Sequence, residues 1–157
     1  MDGLVGRPLI ASHLADGRCI TLAGMGMQLT STVVQIFATD VHRSLAFYRL
    51  LGLPVPEPEG PDPHVEVELP GGSRLSFDAQ ETITGMHPDW SPPSSAGRVA
   101  LAFGVESPVE VDAMFERLTQ AGYPGSLAPY DAQWGQRYAS VLDPDANLVD
   151  LFAPLGG

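Results

Sequence analysis

The sequence predicts an α+β fold of two βαβββ modules, whose mixed sheets curve around a cleft. Three observations indicate this fold: a strand pattern followed by a helix pattern at residues 32–51, the same order again at residues 98–121, and a hairpin pattern after each helix. Self-similarity of this kind indicates an internal structural repeat. The length of 157 residues suits one domain, or two small modules that share a core.

The first module begins with a strand and a helix. Residues 32–39 (TVVQIFAT) are rich in β-branched side chains, which favour strands. Asp40 is a suitable N-cap for a helix that runs to about Leu51, and Gly52 suits the position after its end. The Pro-rich, acidic residues that follow predict a loop.

A hairpin completes the first module. Residues 64–69 (HVEVEL) alternate strictly between polar and apolar side chains, as expected of a strand with one buried face. Pro70-Gly71-Gly72 predicts the turn, and residues 73–78 predict the returning strand. Residues 80–96 contain three prolines and several serines, so they predict a linker.

The second module repeats this order. Residues 98–105 predict a strand, and residues 108–121 predict a helix that ends at Gly122. A short strand is expected at residues 126–128.

A second hairpin closes the chain. Its strands are predicted at residues 136–142 and 147–152, on either side of the turn Asp143-Pro144-Asp145-Ala146. Pro144 fixes one backbone dihedral of this turn, and the flanking Asp side chains can close it on their own backbone. The return strand places Asp150 on one face with apolar neighbours.

These patterns divide the chain into four segments. They are an N-terminal extension (1–30), a first module (31–79), a linker (80–96) and a second module (97–157). The extension has no clean hydrophobic period, so we expect it to be poorly ordered or to cross onto a partner chain. Met25 and Met27 are alternative starts of the protein.

The charge of the chain limits its partners. The formal net charge is -11, with eight Arg and no Lys. Such a field repels nucleic acid and favours cationic ligands. No apolar run is long enough to span a membrane, so no membrane partner is expected. The single Cys19 rules out an internal disulfide framework and fits the cytoplasm.

The polar face of each strand is expected to line the cleft, because the apolar face packs on a helix. Trp134 and Trp90 are candidates for stacking on a planar ligand. Arg98 and Asp150 either meet the ligand or pair with each other as an internal salt bridge. The predicted ligand-binding residues are Gln35, Phe37, Glu68, Ser76, Asp78, Arg98, Trp134, Tyr138 and Asp150.

The segment FATDVHRSLAFYRLLGL and the closing DPDANLVDLF resemble the vicinal oxygen chelate superfamily. This group includes glyoxalase I, extradiol dioxygenases and the bleomycin resistance proteins. The resemblance covers about residues 32–154 and implies paired βαβββ modules, often in dimers. The segment AQWGQRYASVLDPDANL is similar to the bleomycin resistance branch, whose dimers sequester a cationic drug with flat rings.

Metal-dependent members of this group place one ligand on each of four strands. The resemblance puts these positions at Val33, Ser76, Ala100 and Asp150. Val33 and Ala100 carry no atom that can bind a metal, so no metal and no other cofactor is predicted. The four histidines lie elsewhere and are expected to be solvated; they are His13, His42, His64 and His87.

The sequence therefore predicts a cytoplasmic, homodimeric, metal-independent protein that binds a small molecule, such as a cationic aromatic antibiotic or metabolite. Two enzymatic alternatives stay open. One is a lyase, isomerase or dioxygenase with an atypical metal set of Gln35, Asp78 and Asp150. The other is a metal-free enzyme in which Asp150 or Glu68 acts as general base and Arg98 steadies an oxyanion.

Overall fold

The computed structural model describes residues 31–58, 60, 64–93 and 99–156. All elements named below belong to the unit Thr32–Gly157. The predicted N-terminal extension and Arg98 lie outside the described residues.

The first sheet comes from the first module. Its elements are β1 (Val33–Ala38), α1 (Val41–Leu50), β2 (Val65–Glu68) and β3 (Arg74–Ala79). The strand order is β1-β3-β2, with β1 parallel and β2 antiparallel to the central β3. As predicted, the Asp40 carboxylate caps α1 by accepting the backbone N–H of Arg43 at 3.1 Å.

The segment that the sequence predicts as a linker begins with a helix. Helix α2 (Gln80–Met86) follows β3 directly, and Ile83 is its buried residue. Its N-cap, Ala79, makes no side-chain cap hydrogen bond. The prediction of a linker from residue 80 onward was therefore wrong for these seven residues.

The second sheet has four strands. Its elements are β4 (Ala100–Gly104), α3 (Pro108–Gln120), β5 (Gly125–Ala132), β6 (Gln136–Leu142) and β7 (Leu148–Pro154). The order is β4-β7-β6-β5, in which only β4 and β7 run parallel. The strand predicted as short spans eight residues. The second module is thus a complete βαβββ unit, whereas the described part of the first module has one strand fewer.

One hydrophobic core joins the two modules. It contains apolar residues from both sheets and from α1 and α3, including Ile36, Leu75, Val111 and Val149. The strands alternate, so the other face of each sheet points away from this core. We call these surfaces the first open face (on β1, β2 and β3) and the second open face (on β4, β5, β6 and β7).

The turn between β6 and β7 docks on α1. Tyr48 donates its hydroxyl to Asp143 at 2.9 Å, and Ser44 donates to Asp145 at 2.7 Å. Asp143 also accepts the backbone N–H groups of Asp145 and Asn147, as predicted for this turn. In the described residues, the side-chain hydrogen bonds between the modules all involve this turn.

No helix in the described part of the chain is long and apolar enough to cross a bilayer.

Candidate functional site

The predicted ligand-binding residues fall on both open faces. Gln35, Phe37, Glu68, Ser76 and Asp78 lie on the strands of the first sheet. Tyr138 and Asp150 lie on the second sheet, and Trp134 lies in the turn before β6. Since Arg98 is outside the described residues, the predicted pairing of Arg98 with Asp150 stays a prediction.

A row of aromatic rings crosses the second open face. Strand register places Tyr130 opposite Tyr138, Tyr138 opposite Phe152, and Phe152 opposite Gly104. The Phe152 ring lies over Gly104, where an added Cβ would be only 3.0 Å from it. Gly104 therefore allows this close contact, which a larger residue at the same position would obstruct.

Asp150 lies beside this aromatic row. It is 8% exposed and accepts a hydrogen bond from Ser140 at 2.5 Å. None of the ion pairs among the described residues involves Asp150, although a carboxylate can accept about four hydrogen bonds. Burial, followed by a hydrogen bond to Asp150 and the charge of that carboxylate, raises the pKa of Tyr138 to about 12. Asp150 is thus a buried negative charge among hydroxyls and rings.

Trp134 stands at the outer end of the row. Its side chain is 61% exposed, and its ring meets Tyr138 edge-on at 5.6 Å and Tyr130 at 6.3 Å. The indole N–H donates to Gln136 at 2.9 Å, which fixes one edge of the ring. The indole is therefore largely exposed, and its stacking on a flat ligand stays a prediction.

Charged and polar side chains form rows across the first open face. Register pairs Ser76 with Glu66 on one side and Gln35 on the other. Arg74 forms an ion pair with Glu66 at 2.6 Å. The first open face is therefore rich in carboxylates, of which Glu66 is already paired with Arg74.

His64 is a residue that the sequence interpretation missed. It was expected to be solvated, and its side chain is indeed 57% exposed, but its Nδ1 lies 2.7 Å from Asp78 Oδ1. The hydrogen bond to Asp78 is the main cause that raises the His64 pKa. The alternation of HVEVEL could have found it, because His64 has the same parity as Glu66 and Glu68.

Among the described residues, two buried polar atoms on the same face have no hydrogen-bond partner. They are Ser76 Oγ and Asp78 Oδ2, within residues that are 0% and 8% exposed. Both residues point to the first open face, because they alternate with the core residues Leu75 and Phe77.

Trp90 covers one end of β1. Its ring meets Phe37 edge-on at 5.9 Å. Together with Pro92 and Pro93 it borders a cavity of about 410 Å³ between β1 and the start of β4. Trp90 therefore packs on a predicted ligand-binding residue of the first sheet.

The residues present do not fit the four-ligand metal site of the metal-dependent superfamily members. Val33 and Ala100 have no donor atom, while Asp150 is hydrogen-bonded to Ser140. The described residues contain no group of three His, Cys, Asp or Glu side chains able to hold an ion. Asp78 and Asp150, two of the three residues in the predicted atypical set, lie on different sheets with different partners.

A family model matches most of the chain. The model of the Glyoxalase/Bleomycin resistance protein/Dioxygenase superfamily matches residues 30–151. An uncharacterized protein of Bacillus subtilis (strain 168), YraH, is 26% identical over 127 residues, which cover 78% of this chain and 96% of YraH.

Solved structures show the same architecture. A glyoxalase/bleomycin resistance protein/dioxygenase family enzyme from Burkholderia phytofirmans PsJN is 27% identical with a TM-score of 0.69, covering 79% of this chain and 98% of that one. A protein of the same description from Nocardioides is 26% identical with a TM-score of 0.65, covering 85% and 89%. These similarities extend over both modules.

Proposed function

Because the chain belongs to the Glyoxalase/Bleomycin resistance protein/Dioxygenase superfamily, we propose that it binds a small molecule without a metal ion. The ligand is a flat organic cation that lies against the second open face. Trp134, Tyr138 and Phe152 stack on it, and Asp150 neutralises its charge. Sequestration of an antibiotic or metabolite of this class is the role that follows.

The observation that carries this proposal is the environment of Asp150. A carboxylate that is 8% exposed loses most of its hydration, and the hydroxyls of Ser140 and Tyr138 replace only part of it. Aromatic rings beside it present negative faces, which attract a cation rather than an anion. A flat cation neutralises the carboxylate and stacks on the rings at the same time.

The charge of the whole chain supports the same ligand. A net charge of -11 raises the local concentration of cations near the surface and repels anions. Independence from metal is supported by Val33 and Ala100, which offer no donor at two of the four strand positions.

The proposal includes a cytoplasmic homodimer. The single cysteine supports the location, and the frequent dimers of this superfamily support the assembly. Light scattering coupled to size-exclusion chromatography tests the assembly, and a monomeric mass at working concentration would contradict it.

The binding test uses N-methylquinolinium, a flat cation without N–H groups, and quinoline, its uncharged analogue. We expect the cation to quench Trp134 fluorescence and to bind with its affinity lowered about tenfold, or about 1.4 kcal/mol, by Asp150→Asn. Trp134→Ala should weaken binding, as measured by calorimetry, by about 0.5–2 kcal/mol.

Glu106→Gln is the matched control, because it removes one charge from an exposed side chain outside both open faces. Equal affinity for quinoline and N-methylquinolinium, or equal effects of Asp150→Asn and Glu106→Gln, would contradict the proposal. Metal analysis of protein purified without chelator tests metal independence, which a stoichiometric divalent ion would overturn.

A further inference from the structure

We propose that the first open face carries a second binding subsite, in which Ser76 Oγ and Asp78 Oδ2 accept hydrogen bonds from a forked N–H cation such as a guanidinium or amidinium. This inference does not depend on the second open face. The proposed subsite uses other residues, and it requires a ligand with N–H donors, whereas the aromatic row requires only a flat cation.

The first step is the lack of partners. A buried polar atom without a hydrogen bond is unusual in a folded protein and calls for an explanation. Here two such atoms lie two residues apart on β3, on the same side of the strand. Ser76 Oγ and Asp78 Oδ2 are therefore two unused acceptors on the same side of one strand.

The second step is the orientation of Asp78. His64 Nδ1 binds Oδ1 at 2.7 Å, so it holds the carboxylate with Oδ2 as the unused oxygen. A carboxylate oxygen can only accept a hydrogen bond, so its missing partner is a donor. His64 is thus a positioning residue for the proposed subsite.

The third step is the type of donor. The other described cation of this face, Arg74, is bound to Glu66 at 2.6 Å, so it does not supply the donor that Asp78 Oδ2 lacks. A planar, forked group donates two hydrogen bonds in one plane, and such a group can reach a carboxylate and a hydroxyl at once. A single-point donor would satisfy only one of the two atoms.

The fourth step is access. Both atoms are shielded from solvent, so a side chain near them must move aside before a ligand enters. His64 cannot be that side chain, because its bond to Asp78 Oδ1 holds the carboxylate in place. Gln35, on the neighbouring strand, is exposed and can contact the rest of the ligand.

The experiment uses methylguanidinium, which has forked N–H groups and no ring. Tetramethylammonium, which has the same charge and no N–H, is the matched probe. Titration followed by amide NMR should give saturable shifts at residues 74–79 with methylguanidinium alone. Asp78→Asn should weaken this binding at least tenfold and Ser76→Ala severalfold, whereas Asp89→Asn, which changes an exposed carboxylate outside the face, should leave it unchanged.

Three results would overturn the inference: no saturable shift with methylguanidinium, equal shifts with tetramethylammonium, or unchanged affinity in Asp78→Asn. Ser76→Ala also gives a readout without ligand. If Ser76 Oγ has no partner, its removal leaves the midpoint of thermal unfolding unchanged or raises it, and a clear fall means that the hydroxyl is already satisfied inside the protein. N-methylquinolinium binding is measured in the same variants, so a failure of this subsite is distinguishable from a failure of the second open face.

Discussion

Two buried carboxylates, Asp78 and Asp150, have comparable positions in the two sheets. Each is 8% exposed, and each lies on a strand that has neighbours on both sides. Their partners differ, since His64 binds Asp78 and Ser140 binds Asp150. A carboxylate is therefore hydrogen-bonded to an exposed imidazole in the first sheet and to a buried hydroxyl in the second. The stability that each contact contributes should therefore depend differently on pH.

Replacement of His64 by Gln should change how stability depends on pH. Because the folded-state pKa of His64 is raised, its contribution is fully present below the unfolded value of about 6.5 and is lost as the pH rises through the folded value. We therefore expect the wild type to lose thermal stability over this range more steeply than His64→Gln.

The measurement is the midpoint of thermal unfolding as a function of pH, over a range that extends on both sides of the ordinary histidine pKa of about 6.5. His42→Gln is the control, because His42 is exposed on α1 and makes no side-chain hydrogen bond among the described residues. Parallel curves for His64→Gln and the wild type would contradict the prediction.

Ala146 is strained in the turn between β6 and β7. Its φ is 62°, a left-handed conformation that places Cβ close to the backbone and costs about 1–2 kcal/mol for a residue other than glycine. Ala146→Gly should remove this strain and raise the free energy of unfolding, with a net gain of about 1 kcal/mol after the added entropy of glycine is subtracted.

Urea unfolding measures this gain. Ala46→Gly provides a control of opposite sign, because Ala46 is an exposed residue inside α1, where glycine costs about 1 kcal/mol. A loss of stability in both variants would mean that the turn is not strained at Ala146.

At the scale of elements, the docking of α1 on the β6–β7 turn depends on Tyr48. Its hydroxyl is buried and donates to Asp143, and burial is also the main cause that raises the Asp143 pKa. Tyr48→Phe leaves the carboxylate with one donor fewer in a site that water does not reach. We expect a loss of about 1.5–3 kcal/mol in the free energy of unfolding, the range for hydrogen bonds to charged groups.

Tyr123→Phe is the matched control. Tyr123 packs edge-on against Phe47 at 4.8 Å, and its hydroxyl makes no hydrogen bond among the described residues. Chemical denaturation of both variants compares the two hydroxyls directly, and equal losses would show that Tyr48 contributes only its ring.

The sequence predicted most of the elements and the sides of the strands. Alternation in β1, β3 and β7 was sufficient to assign the open faces, because a strand with one buried face repeats every two residues. The pattern of β6 left its phase open, and Tyr138 and Ser140 were only the favoured side. It was insufficient for α2, which lacks a side-chain cap and buries only Ile83. It also underestimated β5, whose Gly125 and Pro129 disfavour a strand and whose pairing with β6 overrides them.

The sequence predicted only part of the candidate site, and the reason is related. Parity placed Ser76, Asp78, Tyr138 and Asp150 on the open faces from their own strands. The bond between His64 and Asp78 depends on how β2 aligns with β3, with Val65 opposite Phe77, and this register is set by the hairpin in three dimensions. Contacts between strands were therefore beyond what the pattern within one strand can indicate.

At the scale of the whole molecule, the charge of -11 predicts a dependence on salt. Binding of N-methylquinolinium should weaken as sodium chloride is raised, because mobile ions screen the long-range attraction within about 10 Å at 0.1 M. The attraction of Asp150 itself should persist, since it lies beneath the surface.

Calorimetry at low and high salt tests this expectation, with quinoline as the uncharged control. We expect the association rate of the cation to change more than its dissociation rate, because steering acts before contact. An affinity that is the same at all salt concentrations would mean that the overall charge has no part in binding.

The two hairpin turns differ in what surrounds them. The β6–β7 turn is held by α1 through Tyr48 and Ser44, whereas Gly71 and Gly72 in the β2–β3 turn are exposed and have open space around them. A fluorescent label or a short peptide tag can therefore be inserted between Gly71 and Gly72 at little cost to folding. The same insertion at Pro144 would disturb the hydrogen bonds between this turn and α1, so a sensor built on this scaffold should carry its reporter on the first hairpin.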